Sequence, residues 1–392
     1  MQTNEIELGA VITDIAAGPF GSNLKVSSFV DSGFPIVDGA NLKGYKVTDN
    51  ITKFVTEEKA RSLHRSIAHR GDVVVTISGT VGQISYIPED SQYSEYLCSQ
   101  RQFRATFDTS RVYVPYLVFY FHTYEGQHKI LSFANQTGVP ALAQPLKNFR
   151  QIRLRLPEFM EQRKIASVIE KINDKIEKNE AINHNLEQQA ETLFKAWFID
   201  FAPFDGIKPN SWVAYTLGEV TEMGAGGDKP KNTSKIKSTE CPYPVYSNGL
   251  DNDGLYGYTD KAKIFDESVT VSARGTIGFV CLRHLPYVPI VRLVTLIPKE
   301  SILSAKYLYL YLKQLHISGT GTTQQQLTVP DFRKTEILIP DSTIMMDFTK
   351  VVTPIFNKIW ANEDENKQLA LIRDAILPKL MSGEIDVSEV EV

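Results

Sequence analysis

The feature that most constrains this chain is an internal repeat, because each copy must fold into the same kind of unit. Short segments recur in the same order, at spacings that shrink along the chain from 209 to 196 to 183 residues. The matched segments are Leu8-Gly9 with Leu217-Gly218, Phe34–Val37 with Tyr243–Tyr246, 79–82 (GTVG) with 275–278 (GTIG), 116–121 (YLVFYF) with 307–312 (YLYLYL), and Phe149-Arg150 with Phe332-Arg333. The sequence therefore predicts two copies of one globular domain, the second shortened by loop deletions.

A long helical pattern follows each globular copy. Apolar or Asn residues alternate at steps of four and three, which is the seam of a coiled coil. The first seam is Ile165, Ile169, Ile172, Ile176, Asn179, Asn183, Leu186, Ala190, Leu193 and Trp197, and a shift of 183 residues gives Phe348, Val352, Ile355, Ile359, Asn362, Asn366, Leu369, Arg373, Ile376 and Leu380. We predict two long helices that pair with each other; the alternative is that each packs only on its own domain.

Asparagine in a coiled-coil seam costs stability and fixes register, so Asn179, Asn183, Asn362 and Asn366 are predicted to meet in pairs. An antiparallel pair sets Asn179 against Asn366 and Asn183 against Asn362, while a parallel pair would also match Asn with Asn. We favour the antiparallel pair because it needs only short connections to the two globular copies. Pro354 lies inside the second helix, where we expect a kink or a restart.

The expected fold class is α+β, with two mixed α/β domains alternating with two long helices that pair as an antiparallel coiled coil. Turn glycines at 79 and 82, a helix over 57–68 and a helix opened by Pro115 are predicted within the first copy. The predicted segments are a first domain over 1–157, a first long helix over 158–200, a linker over 201–212, a second domain over 213–340, a second long helix over 341–382 and an acidic tail over 383–392.

Composition narrows the class of protein. The 392 residues are 42% hydrophobic and 22% charged, as in ordinary globular chains, and no apolar stretch is long enough to cross a membrane. The N-terminus lacks the pattern of a signal peptide, so we expect a cytoplasmic protein with Cys98, Cys241 and Cys281 as buried, reduced thiols. The net charge of -4 hides a segregation, since residues 1–157 carry 16 basic against 14 acidic groups and residues 341–392 carry 5 against 10.

Catalytic motifs are not apparent in the sequence. There is no Walker loop, the glycine-rich segments 224–229 and 319–321 lack dinucleotide or phosphate spacing, and the histidines have no metal-ligand spacing. Asp49 with Glu57 imitates a nuclease carboxylate set, but this short pattern has no counterpart in the second copy. The chain is therefore interpreted as a binding protein that itself holds no metal and no cofactor.

Polar loops at matched places in the two copies are the candidate DNA-reading residues. Arg, Asn and Gln pair with guanine and adenine edges, and Ser and Thr serve either base. The candidates are Asn41, Lys43, Ser78, Thr80, Gln136, Thr137, Lys147 and Arg150 in the first copy, and Asn248, Arg274, Thr276, Thr322, Thr323, Gln324 and Gln325 in the second. Differences between the copies suit two unlike half-sites. The basic run from Lys147 to Arg155 suits phosphate, or equally a strand edge protected by charge.

Three segments resemble the specificity subunits of type I restriction-modification systems. They are residues 156–166 (LPEFMEQRKIA), residues 193–201 (LFKAWFIDF) and residues 377–385 (LPKLMSGEI). The resemblance implies that the two globular copies are target-recognition domains, each reading half of a bipartite site in double-stranded DNA. It also implies that the antiparallel helices set the spacer between the half-sites and dock methyltransferase subunits.

The same resemblance implies which partners carry the chemistry. Two methyltransferase subunits and the restriction and translocation subunits are the expected partners, and S-adenosylmethionine, ATP and Mg²⁺ are expected in those subunits. The second long helix has Met346-Asp347-Phe348 where the first has a Glu-Gln-Arg start. This departure bears on whether two methyltransferase subunits dock symmetrically.

Other functions remain compatible with the residues. One is a coiled-coil scaffold whose two heads bind protein or another ligand, and another is a nuclease that uses Asp49 and Glu57. A third is a specificity subunit that serves methylation or phage defence without a nuclease.

Overall fold

The computed structural model describes residues 4–135, 139–319 and 326–391. They form two compact units, of which unit 1 holds residues 1–177 and 365–392 and unit 2 holds residues 178–364.

Unit 1 combines strands and helices in an α+β arrangement. Its elements are β1 (Asn4–Glu7), β2 (Ile12–Ala17), β3 (Phe29–Val30), β4 (Phe34–Val37), β5 (Phe54–Val55), α1 (Glu57–Ser62), β6 (Ile67–His69), β7 (Val73–Thr76), β8 (Ile84–Tyr86), β9 (Glu95–Cys98), β10 (Gln102–Phe107), α2 (Val114–Phe121), α3 (Tyr124–Leu131), α4 (Pro145–Gln151), β11 (Arg153–Leu156) and the start of α5 (Phe159–Phe198). The strands form sheets in the orders β2-β10-β7-β8, β3-β5-β4-β9-β6 and β1-β11.

Unit 2 repeats the same plan with fewer residues. Its elements are the end of α5, β12 (Val213–Thr216), α6 (Leu217–Val220), β13 (Thr221–Ala225), β14 (Tyr243–Tyr246), β15 (Leu255–Thr259), β16 (Ser268–Val271), β17 (Val280–Arg283), β18 (Val288–Pro289), β19 (Val294–Pro298), α7 (Ala305–Gln314), α8 (Val329–Phe332), β20 (Glu336–Ile339) and the start of α9 (Ser342–Ser382). The order β13-β19-β16-β17 matches β2-β10-β7-β8, and β12-β20 matches β1-β11. The predicted repeat and fold class are confirmed.

Local chemistry explains where several helices begin. Pro115 stands in the first turn of α2, where its missing N–H is not needed, and the Thr123 hydroxyl caps α3 by accepting a hydrogen bond from the Gly126 N–H. The expected helix over 57–68 is wrong in its C-terminal half. Residues 67–69 instead form β6, because their backbone pairs with β9.

The long helices pack antiparallel within each unit. In unit 1, Ile165 and Leu380 share one apolar cluster, and in unit 2 the rings of Trp197 and Phe348 lie 5.7 Å apart. Both contacts match the antiparallel register read from the sequence. The helix α9 runs through Pro354 without a break, so the expected restart there is wrong.

The C-terminal segment packs back on unit 1. Val387 is buried, and it shares an apolar cluster with Ile165, Ile169 and Tyr116. The Lys164 ammonium donates a hydrogen bond to the Ser388 carbonyl. Residues 383–390 therefore contribute to the core of unit 1, although their composition is acidic.

Candidate nucleic-acid interface

Loops at the ends of neighbouring strands of unit 1 meet around one cleft. The first loop follows β4, the second joins β7 to β8 and the third joins β9 to β10. They line a cavity of about 770 Å³ together with residues of the segment 24–29. Lys43, Ser78 and Thr80, which were predicted as DNA contacts, all lie in this lining.

The turn between β7 and β8 depends on two glycines. Gly79 has φ +89° and Gly82 has φ +90°, in the left-handed region that residues with a Cβ rarely adopt. The Gly79 N–H donates to the Pro140 carbonyl at 3.1 Å, which anchors the turn. Ser78 and Thr80 flank Gly79, and Thr80 is exposed to solvent.

Arg101 is a cleft residue that was not among the candidates from the sequence. It is exposed on the third loop, and its guanidinium lies beside Gly79 at the mouth of the turn. Its carbonyl accepts a hydrogen bond of 2.7 Å from the Ile77 N–H, so the loop is tied to the turn. The arginine is thereby held at the cleft, and no hydrogen bond from its guanidinium to another of the described residues (4–135, 139–319 and 326–391) is seen.

A chain of side-chain hydrogen bonds holds the loops of unit 1 together. The Gln83 amide donates to the Gly39 carbonyl at 3.1 Å, and its oxygen accepts from the Thr76 hydroxyl at 3.1 Å. The Gln102 amide donates to the same hydroxyl at 3.3 Å and its oxygen accepts from the Ser99 hydroxyl. This polar chain joins the three loops, and its four side chains belong to the lining of the cleft.

Asn41 does not face the cleft with a free amide. It is 4% exposed, its oxygen accepts from the Asp38 N–H, and its amide donates to the Thr48 and Asn50 carbonyls at 3.3 and 3.1 Å. Both ends of the amide are used within its own loop. We therefore assign Asn41 to loop architecture and remove it from the base-reading candidates.

Unit 2 presents an equivalent turn. Gly275 and Gly278 have φ +70° and +87°, and two of the candidate DNA contacts, Arg274 and Thr276, are exposed around Gly275. The Arg274 guanidinium donates to the Gln326 side chain at 2.9 Å, which orients it without burying it.

Strand register reveals that Arg292 of unit 2 is the counterpart of Arg101. Val75 pairs with Phe103 in unit 1, and Val271 pairs with Val294 in unit 2. Counting back two residues from each partner reaches Arg101 and Arg292. Both arginines are exposed at the start of the strand beside the glycine turn.

The backbone at Arg292 is strained. Val291 and Arg292 have φ +52° and +66°. This left-handed conformation is energetically costly for a β-branched residue such as valine. The Asn248 amide donates to the Val291 carbonyl at 2.6 Å, and its oxygen accepts from the Ala273 N–H at 2.8 Å. Asn248 therefore braces the segments that carry Arg274 and Arg292, and like Asn41 it is a positioning residue whose amide is already used.

A basic loop extends the exposed surface of unit 2. Its lysines are exposed, and they are Lys229, Lys231, Lys235 and Lys237. The ammonium groups of Lys229 and Lys235 lie 5.1 and 4.1 Å from the centroid of the Tyr256 ring. A hydrogen bond from Lys229 and its charge lower the pKa of the Tyr256 hydroxyl. The loop offers a concentration of positive charge for phosphate.

Other predicted residues lie away from the cleft lining. Lys147 and Arg150 are on α4, which packs against residues 8–10 and β2. Arg153 forms an ion pair with Glu7 across the β1-β11 ladder, so the strand-edge interpretation of the basic run fits this residue. Gln136, Thr137, Thr322, Thr323, Gln324 and Gln325 lie outside the described residues.

The helix seam places Asn183 against Asn362 in unit 2. The Asn362 amide donates to the Asn183 side-chain oxygen at 2.7 Å, and the Asn183 amide donates to the Ile359 carbonyl at 3.2 Å. In unit 1 the Asn366 amide approaches the Ile176 carbonyl at 3.5 Å. Asn179 is buried at 1% exposure. Asn183, Asn362 and Asn366 thus each donate a hydrogen bond across the helix pair.

Comparison with known families identifies the repeated domain. The family model of the type I restriction modification DNA specificity domain matches residues 29–188 and again residues 209–370. The chain belongs to this specificity-domain family.

Relatives of this specificity-domain protein share most of its length. It is 24% identical to the type I restriction enzyme MjaIX specificity subunit of Methanocaldococcus jannaschii, over 96% of this chain and 92% of the relative. It is 27% identical to the HindI specificity subunit of Haemophilus influenzae, over 60% and 69%. A crystal structure of a type I restriction-modification S subunit from M. genitalium superposes with a TM-score of 0.56 at 13% identity, over 97% and 96%, and so shares the fold.

The carboxylates proposed for a nuclease have structural partners in this specificity-domain protein. Asp49 accepts hydrogen bonds from the Ser91 hydroxyl at 2.9 Å, the Gln92 N–H at 2.8 Å and the Tyr96 hydroxyl. Glu57 pairs with Arg61 at 2.8 Å. Among residues 4–135, 139–319 and 326–391, no three His, Cys, Asp or Glu side chains gather as a metal site.

Two further expectations concern the thiols and the membrane. Cys98, Cys241 and Cys281 are buried free thiols, as predicted, and burial raises the pKa of Cys98 and Cys281 to about 12. In the part of the chain that the structure describes, every helix is too short or too polar to serve as a transmembrane span.

Proposed function

We propose that this chain is the sequence-reading subunit of a type I restriction-modification complex, and that unit 1 and unit 2 each read one half of a bipartite site in double-stranded DNA. The single observation that carries the proposal is the equivalence of Arg101 and Arg292. Arginine bonds guanine with two parallel N–H groups and is the commonest base-specific contact in the major groove. Two such donors at the same place in two copies of a specificity domain suit a two-part site.

The surroundings of the arginines favour unlike half-sites. Unit 1 adds Lys43, Ser78 and Thr80 to its cleft, whereas unit 2 adds Arg274 and Thr276. Hydroxyls accept or donate, while arginine only donates, so the two surfaces select different base edges. The basic loop of unit 2 serves the phosphate backbone, which holds the register of the protein on the duplex.

The paired helices set the separation of the half-sites and dock methyltransferase subunits in this proposal. Half-sites read from one face of DNA lie about 34 Å apart, or one helical turn. The bonded asparagines of the seam support a fixed register, and therefore a fixed spacer. Two methyltransferase subunits, and restriction subunits where cleavage occurs, complete the complex.

The chemistry belongs to those partners. We assign S-adenosylmethionine to the methyltransferase subunits, and ATP with Mg²⁺ to the restriction subunits. This chain contributes binding energy and geometry and acts as a non-catalytic subunit.

Methylation mapping tests the proposal. The chain is co-expressed with a type I methyltransferase partner, and methylated adenines are mapped by long-read sequencing beside Arg101→Ala and Arg292→Ala. We expect a split motif, and relaxed recognition in one half for each variant, a different half in each case. A complex that forms but binds no duplex in a salt-dependent way would instead favour the scaffold function.

The spacer role has its own test. One heptad is inserted after Ala181 in α5 and after Glu363 in α9, which keeps the antiparallel seam in register. The recognised spacer is expected to lengthen while both half-sites stay unchanged. An altered half-site contradicts the role of the helices as a ruler, and insertion in one helix alone is the mismatched control.

A further inference from the structure

Phe20 is exposed to an extent that folding does not explain. Its side chain is 81% exposed, and Val26, six residues later, is 82% exposed. Large aromatic rings bury well over a hundred square ångströms when they find a partner, so leaving one in water costs free energy. The segment that carries both residues also supplies Leu24, Val26 and Phe29 to the lining of the unit 1 cleft.

The base of this segment is held firmly against the recognition loops. A Cβ on Gly18 would lie 1.9 Å from the Ser99 carbonyl oxygen, so only glycine fits there. The Gln100 amide donates to the Gly21 carbonyl at 3.1 Å and to the Leu24 carbonyl, and the Asn23 N–H donates to the Phe20 carbonyl at 2.7 Å. These bonds fix the backbone around Phe20 while its ring points away from the core.

The cleft that this segment helps to line is cationic. Lys43, Lys53 and Arg101 line the same cleft, Lys25 is exposed on the same segment, and Asp38 pairs with Lys53 at 2.6 Å. Proteins that deform DNA combine cations for phosphate with an apolar side chain that enters between base pairs. This combination favours a base step as the occupant over an apolar protein surface.

The matching position in unit 2 lacks the ring. The Gly18 N–H bonds the Gln102 carbonyl, and the Gly226 N–H bonds the Leu293 carbonyl in the corresponding way. Counting forward two residues places Asp228 where unit 1 has Phe20. A carboxylate cannot enter a base stack, so the two units differ at this point.

We propose that Phe20 inserts between adjacent base pairs in the half-site read by unit 1, separating the step and bending the duplex there, while the other half-site stays stacked. This inference rests on the proposed function. It adds a contact that depends on DNA deformability rather than on base edges.

The test uses the assembled complex with its methyltransferase subunits. The half-site of unit 1 is the half that persists when residues 213–340 are replaced. Duplexes carry 2-aminopurine at single positions in that half-site, away from the methylated adenine, and fluorescence is read at saturating protein. Phe20→Ala is compared with Phe20→Trp as the rescue and with Phe265→Ala as a control, because Phe265 is also exposed, at 64%, but lies in unit 2.

We expect a severalfold rise in fluorescence at one step for the wild-type complex, retained by Phe20→Trp and by Phe265→Ala. Phe20→Ala should lose the rise and bind the duplex roughly tenfold more weakly, with an unchanged salt slope because no charge is removed. Equal fluorescence and affinity in Phe20→Ala overturn the inference. The inference is also overturned if Phe20→Ala does not assemble with the methyltransferase subunits in the absence of DNA, because the ring then contacts a partner protein. A wild-type complex without sequence-dependent binding refutes the proposed function itself.

Discussion

The main sheets of unit 1 and unit 2 share one strand order, but the two units hold the loops around their glycine turns by different means. Unit 1 uses a chain of four side chains, Gln83, Thr76, Gln102 and Ser99. Unit 2 uses one bracing residue, Asn248, and tolerates strained backbone at Val291 and Arg292. The repeated scaffold therefore fixes where the loops lie, and the chemistry inside them is free to differ between the halves.

The two parts of the helix seam differ in a similar way. The part in unit 2 has the bonded pair Asn183 and Asn362. The part in unit 1 has the Arg373 guanidinium on the Asn173 side-chain oxygen at 3.1 Å. In each unit a polar contact joins the two long helices, and of these two contacts only the one in unit 1 involves a charged side chain.

The largest expected effect tests the equivalence of the arginines. Arg101→Ala and Arg292→Ala should each cost up to about 3 kcal/mol of DNA binding, or roughly a hundredfold in affinity, because a bidentate base contact is lost. Competition binding against duplexes altered in either half measures this loss. Lys147→Ala, outside the cleft, is the control and should weaken binding slightly and without sequence preference. If both arginine variants relax the same half-site, the assignment of one half-site to each unit is wrong.

The seam asparagine gives the next largest effect. Asn362→Leu removes the donor to the Asn183 side-chain oxygen, while the Asn183 amide keeps its bond to the Ile359 carbonyl, and should lower the free energy of unfolding by about 2 kcal/mol. The double variant Asn183→Leu with Asn362→Leu should recover most of this stability, because two apolar side chains pack together. Denaturant unfolding measures both. A double variant as unstable as the single one would show that the asparagines do not act as a pair.

The bracing residue of unit 2 comes third. Asn248→Ala removes two hydrogen bonds between loops and should cost about 1.5 kcal/mol of stability, with weaker recognition of the unit 2 half-site only. Gln83→Ala is the matched change in unit 1, where Gln102 and Ser99 continue to bond, and it should cost less. Thermal unfolding and methylation mapping follow the two effects. An equal loss of stability in Asn248→Ala and Gln83→Ala would show that the loops of the two units are not held in different ways.

The smallest effect concerns the attachment of α5 to α7 in unit 2. Burial opposes the charge of Glu187, but hydrogen bonds from Lys313 and Tyr309 outweigh it and hold the pKa of the Glu187 carboxyl below its usual value of 4.5. A lowered folded pKa stabilises the protein above the unfolded pKa, and this stabilisation disappears as pH falls through the folded pKa. Glu187→Gln should therefore cost about 1 kcal/mol at pH 7 and nothing well below pH 4. A difference in unfolding free energy that is independent of pH would refute the ion pair as its source.

Much of the fold was predictable because it follows from the spacing of residue types along the chain. The repeat, the heptad seam and the Asn183–Asn362 register depend on positions along the chain, which the sequence displays directly. The end of α1 was not predictable from local spacing, because pairing of β6 with the distant β9 overrides it. The packing of Val387 was hidden by the acidic residues around it.

The candidate site was predictable only in part. Glycine turns identified Ser78, Thr80, Arg274 and Thr276, because a turn between apolar strands places its neighbours at the surface. Arg101 and Arg292 lie 191 residues apart, as do the matched segments 116–121 and 307–312, but only the strand register shows that both stand at the same place beside the glycine turn. The amides of Asn41 and Asn248 turn inward, and residue type alone carries no information on that direction.

The most direct test that each unit reads one half-site is to replace residues 213–340 with another specificity domain and to map methylated adenines before and after. We expect a split motif in which one half changes and the other half and the spacer remain. A motif that is indifferent to the replacement, or that changes in both halves, would contradict the assignment of one half-site to each unit.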